Sequence, residues 1–198
     1  LQAKLDMRND RAGAWSDQRL PVRSLRGQIL LPDVHAANDL AQAWRQGELD
    51  LVAQLPTVAG QTPGDLAVSG GWGGQRVLQA RWHKLEPQAL YDRAPPLQLD
   101  GGLQLKPDWA SMGSKASEAN WARLRSSLDL KMSGLFGPSF SSRPIKTLRK
   151  SDVPVSLVLD GRYGPGQFDV SVLRLQAQSA QAELRDAVLR WVVPGAPS

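Results

Sequence analysis

The side chains able to do chemistry are few and scattered. His35 and His83 are the two histidines. A catalytic imidazole needs a nucleophile or an orienting carboxylate beside it, and a metal ion needs at least two ligands at workable spacing. Neither histidine has such neighbours in sequence; Glu86, three residues beyond His83, is a lone acid. The chain carries no Gly-x-Ser-x-Gly elbow, no P-loop and no calcium-loop pattern. Asp100, Asp129 and Asp160 occupy the polar positions of alternating runs. Strand carboxylates can converge in space, so a glycosidase-type pair roughly 5 to 10 Å apart stays open on a β scaffold. With no cysteine, neither a disulfide framework nor a thiolate metal site is available. The expectation is a protein that is not an enzyme and uses no metal or cofactor.

Charge is equally undirected. The 24 Lys and Arg against 19 Asp and Glu leave +5 over 198 residues, and the basic residues are dispersed. Only Arg143, Lys146, Arg149 and Lys150 approach a cluster, which reads either as an anion site or as a solvated loop. Interleaved stacking aromatics are missing, so nucleic acid is not an expected partner. A hydrophobic fraction of 41% with 22% charged residues is that of a folded chain. No apolar run approaches the roughly 18 to 20 residues that cross a bilayer as a helix.

What must position these residues is a set of strands. Period-2 alternation, the mark of a strand with one apolar and one polar face, recurs along the chain. It runs through Leu1 to Met7, Leu25 to Leu31, Leu49 to Leu55, Leu66 to Trp72, Leu78 to Trp82, Leu97 to Leu105, Leu128 to Met132 and Val153 to Leu159. Phe168-Val170-Val172 then meets Leu173-Leu175-Ala177 with its parity flipped, which predicts a β-bulge. Ala180 to Leu184 and Val188 to Val193 close the pattern. Turn signals stand between the runs at Asn9-Asp10, Gly60 to Gly64, Gly70 to Gly74, Gly164-Pro165-Gly166 and Pro194 to Pro197. Short helices are expected at 39–45, at 86–91 with Pro87 in the first turn, and more weakly at 114–124.

About ten such strands make one long antiparallel sheet, and each is apolar on one side only. That side must meet something. A sandwich, a closed barrel and a curved sheet whose apolar face lines a trough all satisfy the pattern. The chain opens at Leu1 in mid-alternation, the expectation for one β-rich segment over 1–193, with a Pro/Gly-rich tail at 194–198, cut from a longer protein.

Three stretches narrow the choice. Trp72 to Leu105 reads as a strand, a Leu-Glu-Pro turn, Ala-Pro-Pro, then a strand bearing Leu-Asp-Gly-Gly-Leu. The opening has Gly-Ala-Trp-Ser-Asp-Gln-Arg-Leu-Pro-Val before a strand, and the close reads Val-Leu-Arg-Leu-Gln-Ala followed by Ala-Glu-Leu-Arg-Asp. Together these patches, about half of the chain, resemble the repeats of TamB-like proteins of the AsmA-like superfamily. Departures occur at Gln178-Ser179 and Asp186, where the family often has Gly, and at 111–120, which looks like an insertion.

The resemblance implies a taco-like trough with an apolar interior. It belongs to a periplasmic protein of a Gram-negative bacterium, anchored in the inner membrane, that conducts phospholipid toward the outer membrane and works with a BamA- or TamA-like barrel-assembly partner. Under that expectation phospholipid acyl chains meet Leu99, Leu103, Leu105, Leu128, Leu130, Met132, Val155, Leu157, Leu159, Val170 and Val172. The alternative is that these residues pack into a closed core and the segment is a scaffold for insertion of outer-membrane proteins. Trp15, Trp72 and Trp82 either cover groove rims or seal turns, and Trp44, Trp109 and Trp121 dock the less regular parts.

Overall fold

A computed structural model of the chain describes residues 1–31, 47–57, 62–71, 76–94, 97–108, 125–136, 153–178 and 180–191. His35, Trp44, Trp72, Trp109, Trp121, the Arg143 to Lys150 cluster, the helix candidates at 39–45 and 114–124 and the 194–198 tail lie outside the described residues.

The alternating runs are strands, and they pair in chain order. The sheet is β1 (Gln2–Arg8), β2 (Ser24–Leu30), β3 (Glu48–Gln54), β4 (Asp65–Gly71), β5 (Leu78–Leu85), β6 (Leu97–Asp108), β7 (Arg125–Phe136), β8 (Val153–Gly164), β9 (Gln167–Ala177) and β10 (Ala180–Arg190). All neighbours are antiparallel, and the order β1 to β10 runs without a crossover. It is a curved, open all-β sheet that does not close into a barrel. Nine inter-strand spacings make it about 43 Å wide, and its strands lengthen from about 23 Å at β1 to about 40 Å at β6 to β8. The pairing extends beyond the alternating runs: β7 and β8 reach twelve residues each.

Register turns the alternation into rows, because residues opposite one another across a ladder share a face. The middle apolar row is Leu5, Gly27, Leu51, Val68, Ala80, Leu103, Leu130, Leu159, Leu173 and Leu184, one residue from every strand. A second runs from Met7 through Leu25, Leu66, Trp82, Met132 and Leu157 to Leu175, and a third from Ile29 through Leu49, Leu78, Leu105 and Leu128 to Val170. The other face carries rows such as Lys4, Gln28, Asp50, Ser69, Gln79, Gln104, Asp129 and Asp160.

Two register shifts keep these rows apolar. Between β5 and β6 the pairing steps from Trp82 opposite Gly101 to Leu85 opposite Leu99. Lys84 takes a left-handed conformation there, φ 49°, and its amide donates to Asp100 Oδ1 at 2.8 Å. Asp100 thus satisfies the donor that the bulge removes from the ladder. Between β8 and β9 the pairing steps from Asp160 opposite Val172 to Gly161 opposite Val170, leaving Ser171 as the extra residue. This is the bulge that the parity flip predicts. β10 follows β9 through it as one continuous strand, with left-handed Asp186 (φ 49°) where the sequence pattern suggests two runs.

The connections follow their local chemistry. Pro165-Gly166 joins β8 to β9, with Gly166 at φ 69°, as a Pro-Gly turn requires at its second central residue. The expected helix near 86 is α1 (Pro87–Leu90), one turn with Pro in the first turn. Trp15 begins a 3-10 turn over Trp15–Asp17 and is 61% exposed, so it seals neither a core nor a rim.

Candidate functional site

A second layer is absent among the described residues. Apart from a small contact between α1 and β6, the substantial contacts of every element are with its own neighbours in the sheet. Among the described residues no large side chain is fully buried, and the buried hydrophobic side chains, prolines aside, are Ala14, Leu31, Ala53, Leu55, Val153 and Val170. The central leucines are half-buried by their neighbours in the same rows. Toward the β10 edge the same face is open, with Leu175 and Leu184 both exposed.

Ten of the eleven residues expected to meet acyl chains share this face. Leu103, Leu130 and Leu159 stand in the middle row; Met132 and Leu157 flank them on one side, and Leu105, Leu128 and Val170 on the other. Leu99 and Val155 form a fourth row with Gly134 between them. Val172 does not belong with them. The bulge at Ser171 pairs it with Asp160 and Arg185, which puts it on the polar face although its spacing from Val170 is that of one face. Leu173 and Leu175 take its place, and the flipped parity between Val172 and Leu173 is the signal that finds them.

Large side chains cover the glycines of this face. A Cβ at Gly101 would stand 2.9 Å from Trp82 Cζ2, one at Gly134 2.6 Å from Leu99 Cδ2, and one at Gly161 2.7 Å from Phe168 Cζ. Each bulky residue lies over a neighbouring strand, filling the gap a glycine leaves. Trp82 therefore belongs to the apolar surface itself; its indole Nε1 is buried with no hydrogen-bond partner among the described residues. Trp191 stacks on Tyr163 at the end of β10, with ring centroids 5.9 Å apart.

The polar face holds the groups that could do chemistry. His83 does have a carboxylate partner, supplied across the ladder and not by Glu86: its Nδ1 pairs with Asp100 Oδ1, the oxygen that accepts the Lys84 amide. Both side chains are well exposed, and no hydroxyl hydrogen-bonds to His83 among the described residues. The pair secures the bulge. Glu86 is buried at 5% exposure and accepts from Thr57 Oγ1 at 3.2 Å, tying together the loops that follow β3 and β5. Asp129 and Asp160 are opposite one another, and Asp129 also pairs with Lys131 at 3.4 Å. At β10 the Arg185 guanidinium, then that of Arg174, holds the Glu183 carboxyl below the ordinary carboxylate range. Among the described residues no group of three or more His, Asp or Glu is arranged to hold a metal, and no helix is long and apolar enough to cross a membrane.

No protein-family model, curated protein or solved structure matches the chain. The fold and the face define a class on their own terms: an open antiparallel meander with continuous apolar rows on one side and charged rows on the other.

Proposed function

We propose that this chain is a non-catalytic, lipid-conducting segment of a TamB/AsmA-like envelope protein, with phospholipid acyl chains as the partner of its apolar face. The observation that carries this is the middle row, apolar from Leu5 to Leu184 across all ten strands, with no second layer against it among the described residues. Such a surface must be covered by something apolar. Each CH₂ moved from water onto it gains roughly 0.8 kcal/mol. Repetition of similar side chains along a row spreads that gain evenly, so a chain can slide without a deep trap. The left-handed backbone at Gln178 and Asp186, positions where the resembling repeats carry Gly, supports the same family reading.

In this reading the segment works in the periplasm of a Gram-negative bacterium, within a parent anchored in the inner membrane. A second role, as a scaffold beside a barrel-assembly partner, draws support from β10, an edge strand whose Leu184, Val188 and Leu189 are all exposed. Photocrosslinking separates the two. A photoreactive side chain at Leu157 is expected to label phospholipid in cells and one at Val172 to remain silent, because the two residues face opposite ways. Equal labelling at both positions, or none at Leu157 while a known lipid carrier labels, removes the conduit.

A further inference from the structure

The polar face carries a feature that lipid conduction by the apolar rows does not use. Where β1 ends and β2 begins, a cleft of about 680 Å³ is lined by Arg8, Arg23 and Arg26, together with Ser24, Gln54 and Asp10. Three guanidinium groups lining one cleft make it electropositive and favour an anion there. Arg26 has an exposed partner, Asp6, at 3.4 Å. Arg8 and Arg23 have no ion pair or side-chain hydrogen bond among the described residues.

The backbone that carries them is fixed. Asn9 Nδ2 donates to Leu20 O at 3.2 Å and Val22 O at 3.0 Å, while its Oδ1 accepts from the Arg11 amide at 3.1 Å. The Asn9 amide donates to Arg23 O, and the Arg23 amide to Gln54 O, both at 2.8 Å. Ser24 Oγ donates to Gln54 Oε1 at 3.3 Å, which leaves Gln54 Nε2 as a further donor in the lining. The arrangement holds a set of donors in place with one carboxylate, Asp10, among them.

We propose that Arg8, Arg23 and Arg26 form a phosphate-binding site. Two guanidinium forks without a partner among the described residues offer more donors than the two oxygens of a carboxylate can accept, whereas a phosphate presents three or more oxygens to them. The chemistry is shared by a phospholipid headgroup and a soluble phosphate. The site lies on the charged face, so it does not depend on how the apolar rows are occupied.

Calorimetric titration of the whole chain with inorganic phosphate tests it. Saturable binding is expected, weakened about tenfold by the double variant Arg8→Gln/Arg23→Gln, about threefold by either single variant, and unchanged by Arg93→Gln outside the cleft. The single variants carry the test if the double variant loses its strand signal in circular dichroism. Flotation with phosphatidylcholine vesicles, with and without phosphatidic acid, assigns the source. Flotation that needs phosphatidic acid and is lost in the Arg variants upholds the site with a headgroup as ligand; phosphate binding without flotation upholds it with a soluble phosphate. No saturable phosphate binding by the unaltered chain, or affinity within twofold of it in the Arg variants, overturns the proposal.

Discussion

Truncating Leu130 distinguishes an open apolar face from a sealed core by the size of its effect. The residue sits at the centre of the middle row, opposite Leu103 on one side and Leu159 on the other, and is half-buried. Leu130→Ala removes three carbons, about 2.4 kcal/mol of transfer free energy were they fully shielded. Partial exposure lowers that to about 1.5 kcal/mol. In a closed core a cavity term is added and a loss of about 3 to 5 kcal/mol is usual. On a face with no opposing layer, the space left is already continuous with solvent or ligand, so the cavity term vanishes. The predicted loss is therefore about 1.5 kcal/mol, or roughly 3 to 6 °C in melting temperature for a chain of this size. Urea unfolding followed by far-ultraviolet circular dichroism measures it. A loss of 4 kcal/mol or more would refute the open face, because only a packed opposing layer could supply the difference.

Further predictions follow from single features. Gln178→Gly and Asp186→Gly should each stabilise the sheet by about 0.5 to 1 kcal/mol, since a left-handed backbone costs a residue with a Cβ about 1 to 2 kcal/mol and glycine's added chain entropy cancels part of the gain; thermal melts showing no gain at either position would count against strain there. Asp160→Asn removes a like charge directly across the ladder from Asp129 and should stabilise by about 0.5 kcal/mol at low ionic strength, with the gain shrinking as salt is added. Glu183 has its folded carboxyl lowered first by Arg185 and then by Arg174, so its contribution to stability is present above the unfolded carboxylate range and is lost as pH falls through the lowered folded value. Glu183→Gln should accordingly remove one component of acid destabilisation while leaving the rest of the pH profile in place, as melts across the acid range would show.

The strands were legible because a one-sided sheet writes its period directly into the chain. Leu97 to Leu105 and Val153 to Leu159 alternate so regularly that only the extent of β6 and β8 differs from expectation. Turn residues that act through local dihedrals, such as Pro165-Gly166 and Pro87, were legible for the same reason. The partner of His83 was not. Asp100 lies seventeen positions away and reaches it only through the β5 to β6 register, which is itself shifted by the bulge. Val172 failed similarly: its face depends on one extra residue, and periodicity read within a strand assumes none. The Arg8, Arg23 and Arg26 cleft combines both difficulties, since Arg8 meets the other two only across the β1 to β2 hairpin and Arg23 lies outside either strand.

A uniform apolar path across ten strands cannot come from alternation alone, because any strand with an odd residue would turn its polar side into the path. Three irregularities of this sheet correct such cases. Without the bulge at Lys84, that lysine would stand opposite Leu99 in place of Leu85. Without the bulge at Ser171, strand β9 would present Ser171 and Asp169 to the apolar face where Val170 and Phe168 now stand. Left-handed Asp186 does the same for β10, keeping Ala187 and Leu189 in register with Val170 and Phe168. A sheet that needed only to fold could tolerate a charged residue at an exposed row position at little cost. Three separate bulged or left-handed positions, each excluding a polar side chain from the same surface, are what continuity of that surface requires. It is this continuity, more than the hydrophobicity of any one leucine, that favours a ligand extending along the rows over one held at a single point.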